Sequence, residues 1–256
     1  MIIRRIVVIA FLLLSSAPVH AESINIAAAA DLKFAMDEII SGFNREHTGN
    51  QVQATYGSSG RFQAQIRQGA PYDMFFSADI AFPRELAKIG MAASEVKPYG
   101  LGRIVLWSSS MNAARMTLVS LSDPKIVRIA IANPKHAPYG KRAEEALRAS
   151  ALWEKLQPKL VFGENISQTA QYVQSGNAQI GIIALSLALS PELARKGGYS
   201  LIPENLHAPL EQGYIITRRG ADKPLVKKFA HYIDSKKSRS VLSRYGFKLP
   251  DEQSGK

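Results

Sequence analysis

The 256-residue sequence contains no cysteine. That excludes disulfides, thiolate metal sites and a lipid-bearing cysteine, and it leaves stability to a core large enough to do without covalent staples. Histidine is scarce, with five in all. None of them pairs at a metal-binding spacing, so a histidine metal site is not expected. Tryptophan is limited to Trp107 and Trp153, which read as core or hinge packing rather than ligand contacts. Long apolar runs are missing as well: the longest, Ile6 to Leu14, falls short of the about 20 residues that cross a bilayer. It follows Arg4 and Arg5 and precedes Val19-His20-Ala21, where small residues offer a cleavage position. Residues 1–21 therefore read as a secretory signal peptide, and the remainder as a protein released into the periplasm.

Acidic residues are in short supply: 32 Lys and Arg oppose 21 Asp and Glu, a formal net charge of +11. Residues 1–21 hold only Arg4 and Arg5 and no acid, so the rest keeps +9. Such a surface attracts anions. The cations are dispersed, however. Lys223, Lys227, Lys228, Lys236, Lys237 and Arg239 fall in a helical pattern typical of a solvated face, and no nucleic-acid-binding motif accompanies them, so nucleic acid is not an expected partner.

What the chain does have is alternation. Ile24 to Ala29 is an apolar run suited to a buried strand, and Leu32, Ala35, Met36, Ile39, Ile40 and Phe43 then recur at helical spacing up to Gly49. Val52 to Tyr56 alternates like a strand, Phe62 and Ile66 mark a helix ending near Gly69, and residues 73–76 read as a third strand. A second unit follows: strand 126–132, helix 141–148, strand 160–162, helix 168–174 and strand 179–184. Residues 103–107 and 213–217 are β-rich stretches suited to crossing between units, and a final helical segment, 223–245, returns to the first. The fold class expected is α/β, two doubly wound lobes around a central ligand cleft. Lobe 1 comprises 22–102 plus 214–256, and lobe 2 comprises 103–213.

Ligands of open α/β sheets bind beyond the carboxyl ends of the strands, so function is sought at the strand-to-helix turns. Asp31 stands directly before a helical pattern, where it can cap the helix, face the cleft, or both. Gly57-Ser58-Ser59-Gly60 is either an ordinary turn or a site where small residues admit an anion to two hydroxyls and a helix N-terminus. The turn 133–140 places Tyr139 at another helix start, as a backbone donor or a packing residue, with His136 read as a surface loop residue. The turn 163–167 offers a cap from Asn165 or Ser167 and the N–H of Ile166. Helix N-termini converging on one cleft would hold a doubly charged anion by dipoles and hydrogen bonds, without a counter-charge. Catalysis is not expected. Ser58 or Ser59 can be drawn with His136 and Asp31 as a serine hydrolase triad, but no Gly-x-Ser-x-Gly elbow is present. A regulator's ligand-sensing domain would share the fold, and the leader and the lack of a DNA-binding segment speak against it.

Ala-Ala-Ala-Asp-Leu-Lys (28–33), Gly-Ser-Ser-Gly (57–60), Gln-Ile-Arg-Gln-Gly-Ala-Pro-Tyr-Asp (65–73), Phe-Ser-Ala-Asp (76–79) and Ala-Pro-Tyr-Gly (137–140) together resemble the periplasmic molybdate-binding proteins across the whole length after residue 21. The resemblance implies a type II-like periplasmic binding fold and a monomer that captures molybdate or tungstate. Neutral donors hold the anion, no cofactor and no metal other than the molybdate itself is bound, and the protein delivers its cargo to an ABC permease by hinge closure. Phosphate or sulfate is the alternative cargo. By position, Ser58 and Ser59 supply hydroxyl and backbone donors, and Tyr139 and Ile166 supply backbone N–H groups. Asp31 stands where the family has a Ser or Asn donor, and Ala184 where many members have a Tyr hydroxyl. An ionised carboxylate at Asp31 would repel a dianion, which leaves three outcomes: the side chain turns away to cap its helix and leaves the backbone N–H for the ligand, it is protonated in the closed cleft, or it selects an oxyanion that still carries a proton, such as hydrogen phosphate; the first is the expectation.

Overall fold

The computed structural model describes residues 22–250; the leader read at residues 1–21 lies outside them. Two five-stranded sheets organise the chain. The first begins with β1 (Ser23–Ala29), α1 (Lys33–Glu46), β2 (Gln51–Gly57), α2 (Ser59–Arg67), β3 (Met74–Ser77) and α3 (Ala81–Lys88), and β4 (Lys97–Gly102) follows. β1 pairs in parallel with both β2 and β3. β10 (Leu210–Ile216) inserts antiparallel between β3 and β4, giving the order β2-β1-β3-β10-β4. The apolar periodicity of α1 is what places it: Ala35, Met36, Ile39, Ile40 and Phe43 are buried against β1, β2 and the C-terminal helices.

The second sheet is built from one continuous stretch. β5 (Ile104–Ser108) follows β4 after the single residue Arg103, and β6 (Ile129–Ala132), α4 (Pro138–Ala149), the one-turn helix α5 (Trp153–Leu156), β7 (Leu160–Gly163), α6 (Ile166–Gln174) and β8 (Ile180–Ala184) succeed it. The one-turn helices α7 (Leu185–Ala188) and α8 (Pro191–Ala194) lead to β9 (Gly198–Leu201). The order is β7-β6-β8-β5-β9. Trp107 is fully buried within this sheet.

Four expectations are corrected here. Residues 103–107 and 213–217 do not bridge the sheets: β5 lies wholly in the second and β10 wholly in the first. The return to lobe 1 therefore falls at 202–209, not at 213, because β10 already pairs with β4 from Leu210. The strand expected from Ile126 starts at Ile129; Ile126 is buried but precedes the strand, and Val127 is 57% exposed. The single helix expected over 223–245 is two, α9 (Pro224–Ile233) and α10 (Lys236–Arg244), because the Ser235 hydroxyl accepts from Ser238 N at 3.3 Å and opens a new helix. Both rest on lobe 1 through Leu225, Val226, Phe229, Ile233 and Leu242. Among the described residues no helix is long and apolar enough to cross a membrane.

Candidate functional site

The carboxyl ends of β1, β2, β6 and β7 each deliver the chain into a helical turn, and these turns face one another between the lobes. They enclose a small cavity, walled by Ala29, Ala30, Asp31, Gly57, Ser58, Ser59, Ala78, Ala137, Pro138, Tyr139 and Ile166. Five of the six expected site residues meet there. Ala184 does not: it ends β8, fully buried and paired with Ile104, and opens α7 instead of walling the cavity.

Among the described residues, no lysine or arginine lines this cavity. Its donors are backbone groups that helix starts leave unsatisfied. α2 starts at Ser59, α4 carries Pro138 at its first position with Tyr139 next, and α6 starts at Ile166. The N–H groups of Ser59, Tyr139 and Ile166 thus have no intrahelical acceptor. Neighbouring positions are already satisfied: the Asn165 side chain accepts from Ser167 N and Gln168 N, both at 3.0 Å, and caps α6. An anion would take the donors that the caps leave over.

The two serines differ. Ser59 Oγ accepts from Ala78 N at 3.0 Å, so its own proton remains to be donated into the cavity. Ser58 Oγ caps α2 by accepting from Arg61 N at 3.4 Å and lies 3.0 Å from His136 Nδ1 on the opposite lobe. His136 Nε2 is 3.5 Å from Glu164 Oε1, and Arg61 Nη2 donates to Glu164 Oε2 at 2.7 Å. Desolvation lowers the His136 pKa below the usual histidine value, opposed by Glu164. His136 is therefore not a surface loop residue but a bridge between lobes, its side chain 18% exposed. The triad drawn with Asp31 does not form, because Asp31 is engaged elsewhere.

Asp31 overturns the expected cap. Neither the short helical turn at Ala30–Leu32 nor α1 receives a side-chain cap bond. The carboxylate reaches across the cleft instead: Tyr139 Oη donates to Asp31 Oδ2 at 2.9 Å, and Gln212 Nε2 donates to the same oxygen at 2.9 Å. Gln212 Oε1 in turn accepts from Tyr99 Oη at 2.7 Å. The other oxygen, Asp31 Oδ1, is buried and has no partner. Burial pushes the Asp31 pKa up to about 6, with the Gln212 and Tyr139 bonds pulling it back. Burial, and after it the Asp31 charge, also holds the Tyr139 hydroxyl well above the usual tyrosine value.

Sequence reasoning missed Gln212, Tyr99 and Ser186, and named Ser167 only as a helix cap. Ser186 Oγ donates to Asp31 O at 2.7 Å and Ser167 Oγ to Ala30 O at 2.9 Å, so lobe 2 grips the 29–31 turn from both sides. Arg142 adds a cross-lobe ion pair to Asp79 at 3.5 Å. Among the described residues no cluster of His, Asp or Glu is arranged to hold a metal ion.

The family model of bacterial extracellular solute-binding proteins matches residues 24–248. The chain is 33% identical to the molybdate-binding protein ModA of Azotobacter vinelandii over 231 residues, covering 90% of this chain and 91% of that one. It is also 33% identical to ModA of Rhodobacter capsulatus over 233 residues, 90% of each chain. The solved structure of the Azotobacter vinelandii periplasmic molybdate-binding protein superposes with a TM-score of 0.83 at 29% identity, covering 89% of this chain and 99% of that one.

Proposed function

We propose that this chain, which belongs to the bacterial extracellular solute-binding protein family, captures a tetrahedral oxyanion of the molybdate or tungstate class outside the cytoplasm. It then delivers the anion to the permease of an ABC importer. The observation that carries the reading is the cavity itself: helix starts from both lobes place Ser59, Tyr139 and Ile166 N–H groups at one small space whose wall, among the described residues, includes no cationic side chain. Neutral donors bind a dianion firmly without the ion pairing that would resist release.

The mechanism follows from the division of donors. Ser59 belongs to lobe 1, and Tyr139 and Ile166 to lobe 2. An anion bound to one lobe meets its remaining donors only when the lobes close, so it stabilises the closed form by its differential affinity. The connections at Arg103 and at 202–209 are the places where the chain bends. Nothing in the cavity activates a nucleophile. Ser58 is spent on a helix cap and on His136, and the carboxylate of Asp31 is turned to Tyr139 and Gln212. We read binding and release, without chemistry, as the whole activity.

Calorimetric titration of the protein with molybdate, tungstate, sulfate and phosphate tests this. Tight binding of the first two, weakened by Ser59→Ala, is the expected result; silence toward both would overturn it.

A further inference from the structure

The cavity contains one group that does not fit a site for dianions: a carboxylate. Asp31 is 1% exposed and lines the wall beside Ser59 and Tyr139. Its Oδ2 already accepts two bonds, from Tyr139 Oη and Gln212 Nε2, so both lone pairs of that oxygen are used. Oδ1 is buried without a well-formed hydrogen bond, the N–H groups of Asp31 and Leu32 being the weak donors near the carboxylate. An ionised oxygen left bare in a closed cleft is costly, and an oxyanion brought against it makes matters worse.

We propose that Asp31 serves the anion as a hydrogen-bond donor, carrying on Oδ1 a proton that is taken up from solvent when the cleft closes over a tetrahedral dianion. This rests on the oxyanion-binding reading above and sharpens it: the closed protein takes one dianion together with one proton. Oδ2 is saturated by donors, whereas Oδ1 is the carboxyl oxygen left without a partner on a residue that lines the cavity.

The surroundings agree. The groups facing Asp31 are Tyr139 from α4, Gln212 from β10 with Tyr99 of β4 behind it, and the Ser186 and Ser167 hydroxyls from α7 and α6, which bond backbone carbonyls of the 30–31 turn. None is a cation that would hold the carboxylate ionised, and the adjacent Lys33 is occupied with Asp37 at 3.0 Å. Both tyrosines keep their protons, because burial raises them well above the usual range. The carboxyl itself is already displaced toward neutrality by burial, and a dianion beside it acts in the same direction. A protonated aspartic acid then does for the ligand what a serine or asparagine side chain would do, with one difference: its donor exists only when a proton is present.

The test is calorimetry of molybdate binding in two buffers of different ionisation enthalpy, between about pH 6 and about pH 8.5, where molybdate itself does not titrate. The wild-type protein is expected to take up about half a proton per anion near pH 6, rising to about one at the upper pH values, where affinity falls by about tenfold per pH unit. In Asp31→Asn the amide N–H replaces the O–H, so molybdate binding persists while the proton uptake and the pH slope vanish. Asp31→Ala, which cannot donate, is expected to bind more weakly than Asp31→Asn at every pH. Molybdate bound with no proton uptake and a flat pH profile would overturn the proposal while leaving the transport reading intact. Tighter binding of hydrogen phosphate without uptake would overturn it too, by placing the proton on the ligand. Failure of any oxyanion to bind would instead remove the reading on which it stands.

Discussion

Gly60 of lobe 1 lies against the backbone of His136 in lobe 2: its N–H donates to the His136 carbonyl at 3.0 Å, and a Cβ on Gly60 would stand 2.7 Å from that same oxygen. The obstacle is backbone, with His136 Cα at 3.2 Å behind it, so no side-chain rotation relieves the overlap. Gly60→Ala is therefore expected to hinder closure rather than folding. Overpacking of this kind costs about 1–3 kcal/mol, equivalent to roughly 5- to 150-fold in anion affinity. Titration calorimetry with small-angle scattering checks it, the variant staying expanded at anion concentrations that compact the wild type. An unaltered affinity would mean that the lobes meet differently.

The two serines of the same turn should separate in a mutant pair. Ser59→Ala removes a hydroxyl free to donate to a charged ligand, a bond worth about 1.5–3 kcal/mol, and with it roughly 10- to 150-fold in affinity. Ala78 N loses its acceptor in the same variant, so a small drop in melting temperature accompanies the effect. Ser58→Ala removes a helix cap and the contact with His136, and its cost should show mainly in stability, about 1 kcal/mol. Equal losses of affinity in the two variants would refute the division of roles.

Asp31 also sets a pH dependence of stability. Its pKa rises from 3.8 to about 6 on folding, so between those values the folded protein binds more protons than the unfolded chain. Stability from this group is full below about pH 4 and declines as pH climbs, with a penalty of about 3 kcal/mol above the folded value. In Asp31→Asn that penalty is absent. Chemical denaturation of the anion-free protein should find the variant more stable than the wild type at neutral pH and level with it near about pH 4. A variant less stable throughout would show that the Tyr139 and Gln212 bonds need the carboxylate.

Asp73 is fully buried in the Gly-Ala-Pro-Tyr-Asp segment and is not among the residues that wall the cavity. It accepts from Asn25 N and from Lys223 Nζ, both at 2.9 Å, tying β1 to the start of α9. Asp73→Ala is expected to lower unfolding free energy by about 2–4 kcal/mol while leaving the affinity of the folded fraction unchanged. Urea unfolding and calorimetry on one preparation decide it, and an affinity change without loss of stability is the adverse result.

The alternation of strands and helices was legible because apolar periods of two and of three to four residues differ plainly, as in Val52 to Tyr56 against Leu32 to Phe43. The beginning of β10 was not. Leu210-Glu211-Gln212 reads as polar loop, and its pairing with β4 slips at Gln212 and Gly213, so no clean alternation marks it. The site was half legible for a similar reason. Helix starts are local features, and Ser59, Tyr139 and Ile166 announce themselves by the turns they open. The fate of a side chain there is not local: Asp31 looks like a cap to its neighbours, yet its partners lie 108 and 181 residues away. Ser58 and Ser59 look alike until His136, 78 residues on, claims one of them.

The uninterrupted run of lobe 2 between β4 and β10 also bears on how the chain assembles. All five strands of its sheet come from residues 104–201, so it can complete its hydrogen bonding as soon as that stretch is available. Lobe 1 cannot. Until residues 210–216 arrive, β3 has an open edge and β4 has no neighbour, with the pieces of the sheet held apart by about half of the chain. A chain emerging from its N-terminus would thus finish its second lobe before its first, and an unpaired β3 edge would be the surface most in need of a chaperone's cover during that interval.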